Sequence, residues 1–260
     1  MPPPRSKFLL KNNGFTLAEV LITLGIIGVV AALTIPTLIA KYQLKEGITA
    51  YKHELAVLNH AATKIVTDFG YVPDCYKWLP NERPYPSMNT CIKNNSNGEC
   101  IAWGDSNNNP RPSDYSGKST ECKAYQTALE KNLEIIKKCN FAYYDNCTVA
   151  YKGKDTLYKK QYPNKSDNDI LIATAGWSAL RENRLKAAPA AVLSNGSVIL
   201  YYTYPLEILI DVNGKRGPNK WGYDLFWVQL KGSPQKGLFY MPLDSIVENG
   251  GVTATQALLK

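Results

Sequence analysis

The chain has 260 residues, enough for one large domain or two small ones with a real core. With 45% hydrophobic and 20% charged residues, it is neither a disordered chain nor a multi-span membrane protein. Lys and Arg number 30 against 22 Asp and Glu, a net +8. Arg5, Lys7 and Lys11 fall in the first fourteen residues, and without them the surplus is +5, too small to argue for nucleic acid. Tyrosine outnumbers phenylalanine 17 to 6, which suits a partly exposed β surface.

Residues 1–14 are positive and polar and end in Lys-Asn-Asn-Gly. Residues 15–39 follow with one ionisable side chain, Glu19. As a helix they span about 37 Å, enough to cross the hydrocarbon core of a bilayer. Positive charge on the N-terminal side and none until Lys41 places the N-terminus in the cytoplasm and everything after Lys41 outside. A carboxylate inside such a run is a functional hypothesis with a partner to be named. A cut after Gly14 supplies one: the new ammonium on Phe15, a helical turn from Glu19 on the same or a neighbouring chain. Without a cut, Glu19 would only reach for head groups.

The stretch Gly14-Phe15-Thr16-Leu17-Ala18-Glu19-Val20-Leu21-Ile22-Thr23-Leu24-Gly25-Ile26-Ile27-Gly28 resembles the N-terminal signature of type IV prepilins and type II secretion pseudopilins. The resemblance implies a prepilin peptidase that cuts after Gly14 and N-methylates Phe15, with Glu19 as the assembly glutamate. It also implies a ladle-like fold, and Pro36 stands where many pilins carry a helix-kinking proline. An ordinary secretory signal removed after Ala32 or Ala40 fits less well. The polar leader is long, the glutamate lies inside the apolar run, and the run exceeds a usual signal core.

The helical pattern continues past the apolar run. Leu44, Ile48, Tyr51, Leu55, Leu58, Ala62, Ile65 and Phe69 recur at intervals of four and three, one stripe of an amphipathic helix, until Gly70 and Pro73 stop it. Pro36 is expected to kink or locally melt the helix, with Gly25, Gly28 and Gly47 as weak points. These are either tolerated irregularities or a segment that extends when subunits leave the bilayer. His53 and His60, seven apart, read as exposed helix residues.

All six cysteines, Cys75, Cys91, Cys100, Cys122, Cys139 and Cys147, cluster in one segment placed outside the membrane. That argues for disulfides, with fifteen pairings open. A metal site lacks a close cysteine pair or a nearby histidine, and a catalytic thiol lacks a histidine partner. Thr120 can cap a helix whose face carries Cys122, Tyr125, Leu129, Leu133 and Ile136, up to about Lys138. Strand character is expected from Ile170: Ala190–Leu193 and Val198–Tyr202 around an Asn195-Gly196 hairpin, then Glu207–Asp211, Leu225–Leu230 and Gly237–Tyr240.

These elements give an α+β fold: a long N-terminal helix packed on an antiparallel β-sheet head with a disulfide-rich insertion. The expected organisation is a leader at 1–14, a transmembrane or filament-core helix at 15–39, and its amphipathic continuation at 40–70. An extracytoplasmic head at 71–260 then contains a cysteine-rich region (71–150) and a sheet (170–245).

The loop from Asp211 to Asp224 has two readings. Asp211, Asn213, Asn219 and Asp224, with interspersed glycines, are the oxygen ligands a small Ca²⁺ loop needs. They equally suit an Asx-turn in which side chains satisfy backbone amides, and Lys215, Arg216 and Lys220 would repel a dication. Ca²⁺ is accordingly the one cofactor considered.

The function expected from all this is a structural subunit, not an enzyme. No nucleophile motif or phosphate loop is present, and there are only two histidines. Its partners would be prepilin peptidase, other pilin or pseudopilin subunits, and the membrane. Removing fourteen residues leaves 246, larger than a typical major pilin, which points to a minor or accessory subunit. The alternative is an adhesin or DNA-uptake subunit, with Tyr201, Tyr202, Tyr204, Trp221, Tyr223 and Trp227 as stacking platforms among Lys215, Arg216 and Lys220.

Overall fold

The structure, a computed structural model, describes residues 16–79, 82–88, 90–94, 96, 100–174, 179–202 and 205–260. The first helix, α1 (Leu17–Phe69, 53 residues), carries two different surfaces. Before Leu44, where the first of two compact units ends, every large apolar side chain from Leu17 to Ile39 is exposed. α1 does not melt at Pro36, nor at Gly25, Gly28 or Gly47. A proline removes one hydrogen-bond donor, and the helical pattern on either side carries the chain through.

The second unit, Leu44–Lys260, opens with the amphipathic half of α1. Ile48, Tyr51, Leu55, Leu58, Ala62 and Ile65 are buried in one core, with Leu44 and Phe69 packed against it. Its partner is a seven-stranded sheet. In chain order the unit adds β1 (Lys77–Trp78), a separate hairpin of β2 (Thr90–Asn94) and β3 (Cys100–Gly104), and α2 (Cys122–Asn132). Next come β4 (Ile135–Cys139), the short helices α3 (Lys154–Gln161), α4 (Asp167–Ala173) and α5 (Glu182–Ala187), and β5 (Ala190–Leu193). The chain ends with β6 (Val198–Tyr201), β7 (Glu207–Asp211), β8 (Leu225–Ser233), β9 (Gly237–Pro242) and α6 (Ala254–Leu259). β4 to β9 pair antiparallel in sequence order, and β1 joins the end of β8 in parallel at Lys77↔Lys231. The fold is α+β, a long helix packed on a mostly antiparallel sheet.

The sheet is covered on both faces, and the period of two in its strands shows how. Ile199, Tyr201, Ile208, Ile210, Phe226 and Val228 face α1 and α2. Their neighbours Val198, Leu200, Leu209, Leu225 and Trp227 face a second core built with Tyr151, Leu180, Leu185 and Trp221. Tyr51 of α1 stacks on Phe226 with ring centroids 4.2 Å apart. The outer side of β9 is closed by α1: the Asn59 side chain accepts from the Tyr240 amide (2.6 Å) and donates to its carbonyl (3.3 Å). Glu54, off the apolar stripe, is also buried and accepts from Asn195 in the β5–β6 turn at 2.5 Å. Asn195 in turn accepts from Ser197, and Gly196 takes φ +88°, so this turn forms the expected hairpin and docks on the helix.

Two expectations are corrected. The helix starting near Thr120 ends at Asn132, not Lys138, and Ile135–Cys139 is the edge strand β4. The β-branched pair Ile135-Ile136 and pairing with β5 override the helical spacing there. Its N-cap is Glu121, whose carboxylate accepts from the Asp74 amide and the Tyr71 hydroxyl instead of capping the helix. Strand character does not begin at Ile170, which lies in α4; a Ser166–Asp169 capping box nucleates that helix. The six cysteines form Cys75–Cys122, Cys91–Cys100 and Cys139–Cys147.

Candidate functional site

Glu19 sits in the first turn of α1, and Thr16 precedes the helix. The Thr16 amide and hydroxyl both donate to Glu19 Oε2 at 2.8 Å, and the Glu19 amide donates back to Thr16 Oγ1 at 3.2 Å. This is a reciprocal capping box, in which two orphan donors at a helix start are satisfied by side chains. One carboxylate oxygen is thereby occupied, while Oε1 has no partner among the described residues. Around it, residues 16–40 offer no other ionisable group. Gly14 and Phe15, the expected cleavage and methylation residues, lie outside the described residues.

The second candidate, the loop between β7 and β8, does gather its four expected residues. Asp211 is fully buried: Oδ1 accepts from the Asn213 (3.2 Å) and Gly214 (2.8 Å) amides, and Oδ2 from the Tyr151 hydroxyl (2.5 Å). Asp224 accepts from the Asn219 and Lys220 amides, each at 2.7 Å. Asn213 donates to the Gly217 carbonyl at 2.7 Å. With its amide oriented to pair donors with acceptors, Asn219 donates to the Gly214 carbonyl at 3.0 Å and accepts from the Gly217 amide at 3.3 Å. Burial, reinforced by Asp224, pushes the Asp211 carboxyl up to about 7, against the pull of its hydrogen bonds. Burial also raises Asp224. Tyr151 was invisible in the sequence, sixty residues away from its partner.

Beside that loop, Lys154 is fully buried with its ammonium 3.8 Å from the Trp221 ring centroid and no hydrogen-bond partner among the described residues. Burial lowers it to about 6, against the attraction of Glu248.

The stacking platforms considered for a ligand are mostly unavailable. Tyr201, Trp221, Tyr223 and Trp227 are buried, Tyr202 is exposed, and Tyr204 lies outside the described residues. His53 and His60 are exposed, on one shallow groove with Lys64 and Asn132. Among the described residues no cysteine is free, and no group of three His, Cys, Asp or Glu side chains could hold a metal ion.

Residues 9–35 match the family described as the prokaryotic N-terminal methylation motif. That motif marks the type IV pilin and pseudopilin family, whose members are typically structural subunits without enzymatic activity. No curated protein and no solved structure matches the chain.

Proposed function

We propose that this chain is a filament subunit of a type IV pilus or type II secretion pseudopilus, in a minor or accessory position. Prepilin peptidase cuts after Gly14 and methylates Phe15. The chain waits in the inner membrane, N-terminus in the cytoplasm and residues beyond Lys41 outside, and then assembles with other subunits through its apolar helix. The carrying observation is the methylation motif at residues 9–35 on a helix whose apolar side chains are exposed from Leu17 to Ile39. Such a surface needs lipid or other helices to cover it. In this reading Glu19 Oε1 accepts from the Phe15 ammonium of a neighbouring subunit.

Intact mass and N-terminal sequencing of membrane-extracted protein, with prepilin peptidase present, test the processing. N-methyl-Phe15 at the start supports the reading, whereas a start near Lys41 or an uncut Met1 removes it. Glu19→Ala is expected to leave cleavage intact and abolish incorporation into sheared filaments.

The Asp211–Asp224 loop is proposed as a structural turn, not a cation site. In support, all four carboxylate oxygens already accept from N–H or O–H donors. Millimolar Ca²⁺ is expected to leave the unfolding temperature unchanged; a rise of several degrees would return the loop to the calcium reading.

A further inference from the structure

The Cys139–Cys147 disulfide closes a short loop that holds three aromatic rings in water. Phe141, Tyr143 and Tyr144 are 50%, 41% and 68% exposed. Their rings meet edge-on: Tyr143 to Tyr144 at 5.5 Å, Phe141 to Tyr144 at 6.5 Å. The loop cannot easily turn them inward. Ala142 is buried in the second core, its amide donates to the Ala188 carbonyl at 2.8 Å, and the Tyr143 amide donates to the Lys186 carbonyl at 3.2 Å. Lys137 and Lys215 spend their ammonium groups on the Asp145 and Asn146 carbonyls, not on carboxylates. The result is a rigid aromatic knob whose rim carries Lys137 and Lys215 against one carboxylate, Asp145, which accepts from the Phe141 amide at 2.9 Å. Clustered, preorganised aromatics of this kind act as anchors in recognition, because little entropy is lost when they dock. The Tyr144 ring lies at 69° to Tyr143 and 77° to Phe141, so it shares no plane with either for stacking successive bases.

A matching recess exists on the same unit. Asp155, Thr156 and Lys159 of α3 and Asp167, Ile170 and Leu171 of α4 line a cavity of about 350 Å³. Ile170 and Leu171, the latter 45% exposed, give it an apolar side. Its rim carries Asp155 and Asp167 against Lys159, which pairs with Asp167 at 3.2 Å and leaves one carboxylate in excess. The knob and the recess sit at opposite ends of α5. Asp155 and Thr156 bond Glu182 at its start, whereas Ala142 and Tyr143 bond Ala188 and Lys186 at its finish.

We propose that the aromatic knob of one copy seats in the α3–α4 recess of a second copy. Phe141 and Tyr144 meet Ile170 and Leu171, and Lys137 and Lys215 face Asp155 and Asp167. Because the two surfaces differ, the contact is head-to-tail and can propagate from copy to copy. It builds on the filament-subunit reading and requires copies of this chain to adjoin, in the filament or in the membrane before assembly.

The test places the photo-crosslinking residue p-benzoylphenylalanine at Tyr144 of the full chain, with Tyr202 as an exposed aromatic control. Irradiated membranes and sheared filaments are analysed separately. A covalent ladder from position 144, joined by mass spectrometry to residues 154–173 of another copy, supports the contact. Adding Asp167→Lys and Leu171→Glu should weaken the ladder at least about fivefold at unchanged chain level, the loss expected from burying an unfavourable charge pair. A crosslink to a different protein, a crosslink elsewhere on another copy, a ladder as strong from Tyr202, or no ladder overturns it. If filaments form without the crosslink, only the knob contact falls. If the unsubstituted chain never forms filaments, the filament reading falls and the membrane fraction still decides the contact.

Discussion

Replacing Asp211 with Asn removes a titrating proton from the second unit while keeping the acceptor its turn needs. The new Oδ1 can still accept from the Asn213 and Gly214 amides, and Nδ2 can donate to Tyr151, whose hydroxyl now accepts. In the native chain the carboxyl sits near 7 against an ordinary 3.8, so the folded form holds a proton that the unfolded form releases between those values. The associated stability is complete below pH 3.8 and is lost as pH rises through 7. Two other sets of groups act elsewhere. Glu121 and Asp105, held low by hydrogen bonds, cost stability only as pH falls below the ordinary carboxylate range. Lys154, near 6, acts from there upward. The window from about pH 4.5 to 6 therefore belongs chiefly to Asp211, with Asp224, also raised by burial, adding to the loss in the same direction. At about 1.4 kcal/mol per pH unit it should lose about 2 kcal/mol, or roughly 4–8 °C in unfolding temperature for a unit of this size. Thermal unfolding of the detergent-extracted chain, followed by near-UV circular dichroism, measures it. The Asp211→Asn chain should lose most of that slope, keeping only what Asp224 contributes; if it keeps the native slope, the proton is not on Asp211 and the burial argument is wrong.

Three further outcomes follow from the packing. Lys154→Met should remove most of a rise in stability between pH 6 and 10: the buried amine is lowered to about 6 from 10.5, so its penalty is full below pH 6 and fades above it, while Lys231, also lowered by burial, leaves a residual rise. Parallel pH series of the two chains would show this, and an undiminished rise refutes it. Gly47→Ala, which in a free helix gains up to about 1 kcal/mol, should instead cost more than about 2 kcal/mol, because the added Cβ would lie 1.8 Å from the Tyr223 carbonyl oxygen; urea unfolding gives the sign directly. Removing Cys75–Cys122, with a separation of 47 residues, should cost about 4 kcal/mol, against about 2.5 for Cys91–Cys100, with a separation of 9. Equal losses from the two double-alanine chains would refute that ordering.

Where sequence and structure agree, the signal was periodic and local. The stripe from Leu44 to Phe69 reports one buried helix face, and the Asn195-Gly196 pair reports a hairpin. Neither depends on distant residues. The helix after Cys122 misled because its spacing ran on through Leu133 and Ile136, while strand pairing with Ala190–Leu193, more than fifty residues away, decided Ile135–Cys139. The second core was legible in principle. Val198-Ile-Leu-Tyr, Ile208-Leu-Ile and Leu225-Phe-Trp-Val show no polar alternation, which a sheet with one wet face would require. What covers that face comes from residues 139–188, rich in lysine and tyrosine, whose apolar contribution is scattered over Tyr151, Leu180 and Leu185. Glu54 and Tyr151 escaped notice for a similar reason: each is explained by one partner, Asn195 or Asp211, and no spacing rule reaches that far. The methylation motif at residues 9–35 was legible because it is local, but the Thr16 partner of Glu19 was not singled out.

Thr16 allows the helix cap made by Glu19 to be separated from its proposed role in assembly. In an apolar setting a carboxylate is costly unless donors reach it, and here two of them come from Thr16 of the same chain. Thr16→Val removes the hydroxyl donor and the acceptor for the Glu19 amide, but keeps the backbone N–H bond to Oε2. The loss is that of a helix cap, about 1 kcal/mol, and the carboxylate remains free to receive a neighbour's ammonium. Glu19→Gln keeps an acceptor oxygen and the cap geometry but deletes the charge. If Glu19 serves chiefly to start the helix, Thr16→Val should reduce filament incorporation more than Glu19→Gln, which keeps the cap, and Thr16→Ser should restore it. If it serves chiefly as the receptor for a cation, Glu19→Gln should abolish incorporation while Thr16→Val lowers it only a few-fold, the factor about 1 kcal/mol allows. The second outcome is expected, because Oε1 is left without an intrachain partner among the described residues and the apolar helix has no other charge to offer a neighbour.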